Sequence, residues 1–246
     1  MKLYGLVGYP LGHSFSKKYF TDKFKNAALE NVAYENFETT NLAELKATLS
    51  KDKRLNGLNV TIPYKSQIIG YLDDYDPVVT KLDACNCIRI SNGRWTGYNT
   101  DVIGFEKSFG KKLQSHHTHA LILGTGGSSK AVQFVLEKLR IAFLLVSREK
   151  AGGNIISYDQ IDGPVLEKYT IVINTTPIGM YPNVHEYPKL KFEDITSRHY
   201  LFDLIYNPSK TIFLQRAEAQ GAVTENGYEM LVEQAEESWR IWNVMR

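Results

Sequence analysis

The run Ala120-Leu121-Ile122-Leu123-Gly124-Thr125-Gly126-Gly127-Ser128-Ser129-Lys130 passes from an apolar strand-like segment through a glycine turn into a helix start. Few other arrangements limit a fold so strongly. In a dinucleotide site the first glycine makes the tight turn, and the second lets a pyrophosphate approach backbone N–H groups at the positive end of the helix. Gly124 and Gly126 take those places, and Gly127 and Ser128 open the helix. Ser129 replaces the third glycine of the usual fingerprint and Gly127 is additional, so a plain strand-to-helix turn is the alternative reading of these residues alone.

The next strand-like run, Ile141 to Val146, ends in Ser147-Arg148-Glu149. An acidic residue at such a strand end serves the ribose 2′-hydroxyl of NAD, whereas an arginine suits the 2′-phosphate of NADP. Arg148 therefore points to NADP, and Glu149 beside it keeps NAD open. Arg148 as a solvated surface charge is the bland alternative.

Strand-like and helical runs alternate along nearly the whole chain, the pattern of an α/β protein with parallel sheets. At 246 residues two lobes are expected. Strands are predicted at Lys2 to Val7, Ala33 to Phe37 and Gly57 to Ile62, with helices from Phe15, capped by Ser16, and from Leu42 to Leu49. Pro63 places a further helix over Tyr64 to Leu72 with Lys65 in its opening turn. Asn86 to Ile90 and Arg94 to Tyr98 flank an Asn92-Gly93 hairpin turn that ends the first lobe. Asp101 to Phe109 reads as a helix. The second lobe then carries strands at Ala120 to Leu123, Ile141 to Val146, Ile171 to Asn174 and Tyr200 to Ile205. Its helices run through Ala131 to Leu139, Lys210 to Gln220 and Tyr228 to Met245.

Twenty-nine Lys and Arg against 27 Asp and Glu leave a formal charge of +2, too balanced for nucleic-acid or membrane-surface binding. Cys85 and Cys87 would face opposite ways in a strand and so cannot easily pair, which fits a reducing, cytoplasmic setting. The N-terminus meets Gly, Pro and His too early for a signal peptide, and no run is long and apolar enough for a membrane helix. His116, His117 and His119 lie in a polar linker without a carboxylate or cysteine partner, and no metal site is expected. A monomer and a homodimer both remain open.

Three polar clusters fall at strand ends or turns, where a cleft between two lobes would collect them. Ser14 and Ser16 offer hydroxyls at a helix start. Asn59 and Thr61 share a strand face and lead to Lys65, and Asn99-Thr100-Asp101 follows the hairpin. At a helix start Lys65 would be pulled towards its neutral form by the dipole and towards its charged form by a carboxylate such as Asp101. A lysine so balanced can pass a proton, as carbonyl reduction requires. A surface ion pair is the alternative.

With these clusters in order the chain resembles the shikimate dehydrogenase family over nearly its whole length. The likeness rests on Gly12-His13-Ser14-Phe15-Ser16, Asn59-Val60-Thr61-Ile62-Pro63-Tyr64-Lys65, Gly97-Tyr98-Asn99-Thr100-Asp101 and the glycine loop. It continues in Asn174-Thr175-Thr176-Pro177-Ile178-Gly179-Met180, Asp203-Leu204-Ile205-Tyr206-Asn207-Pro208 and Met230-Leu231-Val232-Glu233-Gln234-Ala235. The resemblance implies an N-terminal α/β substrate lobe over 1–100, completed by a C-terminal helix over 226–246. It also implies a Rossmann-like, doubly wound NADP-binding domain over 101–225, with a cleft between the two. It implies NADPH-dependent reduction of 3-dehydroshikimate to shikimate. A quinate or shikimate dehydrogenase preferring NAD, and a substrate-binding protein without turnover, are the alternatives.

By the same resemblance Lys65 and Asp101 are the catalytic pair, and Ser14, Ser16 and Thr61 hold the substrate carboxylate. Asn59, Asn86, Asp101 and Gln234 would meet ring hydroxyls. Gly124, Gly126, Gly127 and Ser128 would cradle the pyrophosphate, Arg148 would meet the adenosine phosphate, and Thr175, Met180 and Tyr206 would lie near the nicotinamide. The chain departs from the family in three places. Asp83-Ala84-Cys85-Asn86-Cys87 stands where the family has Gly-Ala-Val-Asn-Thr, and Ser147-Arg148-Glu149 where it has Asn-Arg-Thr. The segment from Lys150 to Ile161 is too short for the usual helix and strand.

Overall fold

The computed structural model describes residues 1–12, 14–149 and 152–243. They divide into two compact units, Met1–Thr100 with the chain from Ala235 onward, and Asp101–Gln234. The division at Ala235 falls inside the last helix and not at 226, where sequence reading set it.

The first unit begins β1 (Lys2–Gly8), α1 (Phe15–Asn26), β2 (Val32–Glu38), α2 (Leu42–Leu49) and β3 (Leu55–Val60). It continues with β4 (Asp74–Tyr75), α3 (Pro77–Leu82), β5 (Cys87–Ser91) and β6 (Arg94–Tyr98). The sheet order is β2-β1-β3-β5-β6-β4. β1 runs parallel to β2 and β3, but β5 is antiparallel to both β3 and β6, so this sheet is mixed and not parallel throughout. The hairpin turn is as its residues dictate, with Asn92 at φ 51° and Gly93 at φ 77°.

Two expectations in this unit fail for local reasons. The α1 cap is Ser14, whose extended backbone lets its Oγ accept the Lys17 N–H at 3.1 Å, while Ser16 lies inside the first turn. The helix predicted over Tyr64 to Leu72 shrinks to a 3-10 helix at Gln67–Tyr71. The Lys65 carbonyl is taken by the Cys85 N–H at 2.7 Å, so it does not close a helical turn. Lys65 sits in a turn ahead of the helix, and the dipole argument for it has no structural basis.

The second unit carries α4 (Asp101–Gly110), β7 (His119–Leu123), α5 (Gly127–Lys138), β8 (Ala142–Val146), β9 (Ile155–Ile156) and α6 (Gly163–Lys168). Then come β10 (Ile171–Asn174), β11 (Tyr200–Asp203), α7 (Ile212–Ala219) and β12 (Val223–Glu225). Its sheet runs β12-β11-β10-β7-β8-β9, parallel throughout. Numbered from β7, that is the 3-2-1-4-5-6 order of doubly wound dinucleotide-binding sheets. The predicted shortening after Arg148 removes the helix and keeps the strand: β8 reaches β9 without a helix among the described residues. Lys150, where that segment starts, lies outside them.

The last helix, α8 (Tyr228–Asn243), has its predicted end at Met245 outside the described residues. From Ala235 on it closes one face of the first sheet, where Ala235, Ile241 and Trp242 pack with Tyr4, Phe20, Phe24 and Cys87. The other face holds Leu58, Val60, Cys85, Ile88 and Trp95. Cys85 and Cys87 thus enter opposite cores, and both are thiols outside any disulfide. Burial pushes the Cys87 thiol well above its ordinary value, which leaves it unreactive. No helix among the described residues is long and apolar enough to cross a membrane.

Candidate active site

In the first unit the polar residues gather at the C-terminal ends of parallel strands. Ser14 follows β1, and Thr61 follows β3 with its N–H on the Val7 carbonyl at 2.9 Å. Gly8 makes that approach possible, since a Cβ there would lie 2.5 Å from Thr61 Cγ2. Ser16 bonds the buried Tyr34 hydroxyl, which donates to Asn59 Oδ1 at 2.9 Å. Asn59 Nδ2 donates to the Asn86 carbonyl at 3.3 Å and to Ser238 Oγ at 2.9 Å. Both amide hydrogens of Asn59 are therefore committed inside the unit, and its place is to order neighbours. Asn86 Oδ1 accepts the Thr100 N–H at 2.6 Å and the Thr100 hydroxyl at 3.2 Å, which ties the end of β6 to the start of β5.

Lys65 is half-buried. The turn behind it is held twice by the segment that departs from the family pattern. Cys85 donates its N–H to the Lys65 carbonyl, and Ser66 Oγ donates to Asp83 Oδ2 at 2.9 Å. Asp83 caps α3 in the left-handed region, φ 51°, which accounts for a glycine in that place elsewhere.

In the second unit Asp101 opens α4 and is half-buried. Gln234 is buried on α8 and its Nε2 donates to the Leu231 carbonyl at 2.9 Å. Gly104 lets α8 pass close to α4, since a Cβ there would meet the Met230 carbonyl at 2.6 Å.

The strand order reverses between β7 and β10, and ligands of such sheets bind beyond the strand ends at that point. Gly124 follows β7 at φ +106°, in a backbone region that L side chains avoid. A Cβ there would also lie 2.9 Å from Thr175 Oγ1, whose hydroxyl and N–H both bond the Leu123 carbonyl, at 2.7 and 3.0 Å. Gly126 caps α5 with no side-chain cap bond, and a Cβ at Gly126 or Gly127 would meet nothing within 4 Å. The first turn of α5 thus presents N–H groups to open space, with Ser128 exposed beside them. Ser129 fills the third-glycine place while fully buried, its Oγ donating to the Gly126 carbonyl at 2.7 Å.

A pocket of about 260 Å³ lies against this loop, bordered by Gly124, Gly126, Arg148, Glu149, Tyr158 and Thr175. A second, of about 640 Å³, shares Ser147, Arg148, Tyr158 and Ile178 with it. Arg148 stands at the junction of the two. Met180 and Tyr206 are exposed in the loops after β10 and β11, which the Tyr181 N–H joins by bonding the Asn207 carbonyl at 3.3 Å. Neither lines either pocket.

Residues 6–88 match the model of the shikimate dehydrogenase substrate binding domain. The shikimate dehydrogenase (NADP+) of Methanosphaera stadtmanae is 36% identical, over 97% of this chain and 90% of that protein. The chain belongs to the shikimate dehydrogenase family. A crystal structure of a shikimate dehydrogenase in complex with NADP+ superposes with a TM-score of 0.86 at 33% identity, over 99% of this chain and 90% of the other. A shikimate 5-dehydrogenase from Thermus thermophilus, in complex with NADP(H) and shikimate, gives a TM-score of 0.86 at 26% identity, over 99% and 94% of the two chains.

Family membership gives meaning to a buried network that local spacing did not reveal. The β10–β11 register sets Asn174 opposite Asp203. Asp203 Oδ1 accepts from Asn174 Nδ2 at 3.0 Å and from the Ile205 N–H at 3.1 Å, and Oδ2 accepts from Thr211 Oγ1 at 2.6 Å. Asn174 Oδ1 in turn takes the Thr176 N–H and hydroxyl, at 3.1 and 2.7 Å. The loop that borders the glycine turn is thereby tied to β11. The sheet register shows how the two segments hold each other.

Burial pushes the Asp203 carboxyl up to about 6 from 3.8, against the opposing pull of its three hydrogen-bond donors. Between about pH 4 and 6 the folded state holds this proton and the unfolded chain does not. The contribution of Asp203 to stability therefore falls as pH rises through that window and is level above it, by about 3 kcal/mol. Urea unfolding of wild type and Asp203→Asn across this range should show wild type losing stability relative to the variant as pH rises.

Proposed function

We propose that the chain catalyses the reversible, NADPH-dependent reduction of 3-dehydroshikimate to shikimate in aromatic biosynthesis. The observation that carries this reading is the glycine loop at the switch point of a 3-2-1-4-5-6 sheet, in a chain alike over its whole length to shikimate dehydrogenases that bind NADP.

The open first turn of α5 suits a pyrophosphate and the Arg148 guanidinium suits a 2′-phosphate, so the residues present fit the dinucleotide. Bound there, it supplies the hydride. Ser14, Ser16 and Thr61 take the substrate carboxylate, and Asn86, Asp101 and Gln234 take ring hydroxyls. Asn59 holds Tyr34, Asn86 and Ser238 in register behind them. Lys65 donates a proton from Nζ to the oxygen that becomes the new hydroxyl, and the Asp101 carboxylate partners Lys65 and the substrate. Thr175, Met180 and Tyr206, in the loops after β10 and β11, would lie near the nicotinamide. Two buried thiols outside any disulfide fit a reducing cytoplasm.

A spectrophotometric assay of shikimate oxidation at alkaline pH, with NADP+ and NAD+ in parallel, tests the reading. Turnover favouring NADP+ is expected, and Arg148→Ala should raise the KM for NADP+ about tenfold while leaving that for NAD+ nearly unchanged. Glu149 borders the same pocket, so turnover favouring NAD+, or quinate over shikimate, would replace this reading with the quinate-type one. A folded protein that binds shikimate without turnover would make it a binding protein.

A further inference from the structure

The face of the first sheet that α8 covers is apolar only under the helix. On the hairpin, Ile88, Ile90 and Trp95 point to the opposite core, so their alternating neighbours Arg89, Ser91, Arg94, Thr96 and Tyr98 share the α8 face. Trp242 lies over Gly57, where a Cβ would come within 2.3 Å of the ring, and its indole N–H is committed to the Ile88 carbonyl at 3.0 Å. Trp242 and Asn243 border a pocket of about 540 Å³ on this face.

That pocket holds Lys2, Arg89 and Arg94 against one carboxylate, Asp74. None of the three cations forms an ion pair among the described residues. Elsewhere in this unit Lys17, Lys23 and Arg54 each meet a carboxylate at 2.7 Å. Asp74 Oδ1 accepts the Tyr75 N–H. Hydroxyls of Ser91, Thr96 and Tyr98 add neutral donors along the same wall. Lys2 and Asn56 lie at the starts of β1 and β3, whereas Ser14 and Thr61 follow their ends. Seven residues of β1 at about 3.3 Å each put the pocket roughly 20 Å from the substrate-binding serines.

The geometry points to a second small-molecule site here, one that takes a compact polyanion. Two guanidinium groups and an ammonium in one concavity match two or more oxyanion groups on one ligand, either carboxylates or phosphates. The pocket is too polar for an apolar ligand and too small for a macromolecule.

Calorimetric titration of the full chain at low salt, with citrate as the polycarboxylate probe and inorganic pyrophosphate as the phosphate probe, tests this. One-to-one binding of at least one probe is expected, and the tighter one names the oxyanion. Arg89→Gln with Arg94→Gln should weaken it at least about tenfold. Ser14→Ala with Arg148→Ala, which removes anion contacts proposed for the shikimate and cofactor sites, should leave it unchanged. No binding of either probe, or binding that survives Arg89→Gln with Arg94→Gln, as pyrophosphate held by the glycine loop would, overturns the proposal. Arg94 is exposed beside the turn, so Arg94→Gln alone reads the same result should the double variant not fold.

Discussion

Lys65→Ala is expected to lower turnover by about 10²–10⁴-fold, the usual contribution of general acid–base catalysis, while shikimate and NADP+ affinities change far less. The structure makes this variant informative. The Lys65 turn is held through main-chain and neighbouring groups, the Cys85 N–H on the Lys65 carbonyl and Ser66 on Asp83, and none of them uses the ammonium. Truncating the side chain removes the proposed proton donor and keeps those two bonds, which the side chain does not make. Steady-state kinetics alongside direct titration of shikimate separates the two effects. An unchanged turnover number would take Lys65 out of the mechanism, and an equal loss in affinity would make it a binding residue.

Trp242→Ala should destabilise the first unit by about 3–5 kcal/mol, the range for removing a large buried aromatic side chain. Its ring stacks on Tyr4 at 4.8 Å between centroids and lies over Gly57, and its N–H satisfies the Ile88 carbonyl, so the variant loses packing and a buried hydrogen bond together. Gly57→Ala should cost about 1–3 kcal/mol by overpacking the same contact, and less in the Trp242→Ala background, where the space is vacated. Urea unfolding of the two single variants and the double variant measures both. Additive effects would mean that Gly57 and Trp242 do not meet in solution.

The elements that sequence reading placed well are those whose signal is local. Leu42 to Leu49 forms α2 between the predicted residues, the Asn92-Gly93 turn takes two left-handed residues, and the glycine loop joins β7 to α5. The misplaced or missed ones answer to partners far along the chain. Pro63 promised a helix start, but the Cys85 N–H, twenty residues on, claims the Lys65 carbonyl. The short strands β4, β9 and β12 exist because a neighbour pairs with them, and two or three residues carry no periodicity to detect. Thr176, Tyr158 and Ile178 border the pocket against the glycine loop without any spacing that announces it.

Within the candidate site the division follows the same physics. Residue type and order sufficed to single out Gly124, because a positive φ admits few residues, and they pointed to Arg148, which borders the loop pocket, because a phosphate asks for a guanidinium. Family likeness added Ser14, Ser16, Asn86 and Gln234, which are ordinary residues out of context. The role of Asn59 needed three dimensions: its amide hydrogens go to Asn86 and Ser238, and its oxygen to Tyr34, from three separate segments. The Asn174–Asp203–Thr211 network and the gathering of Lys2, Arg89 and Arg94 beside Trp242 likewise arise from strand register and from how α8 packs on the sheet. Local backbone preference and side-chain chemistry are written residue by residue, whereas burial, register and the pairing of charges belong to the packed chain.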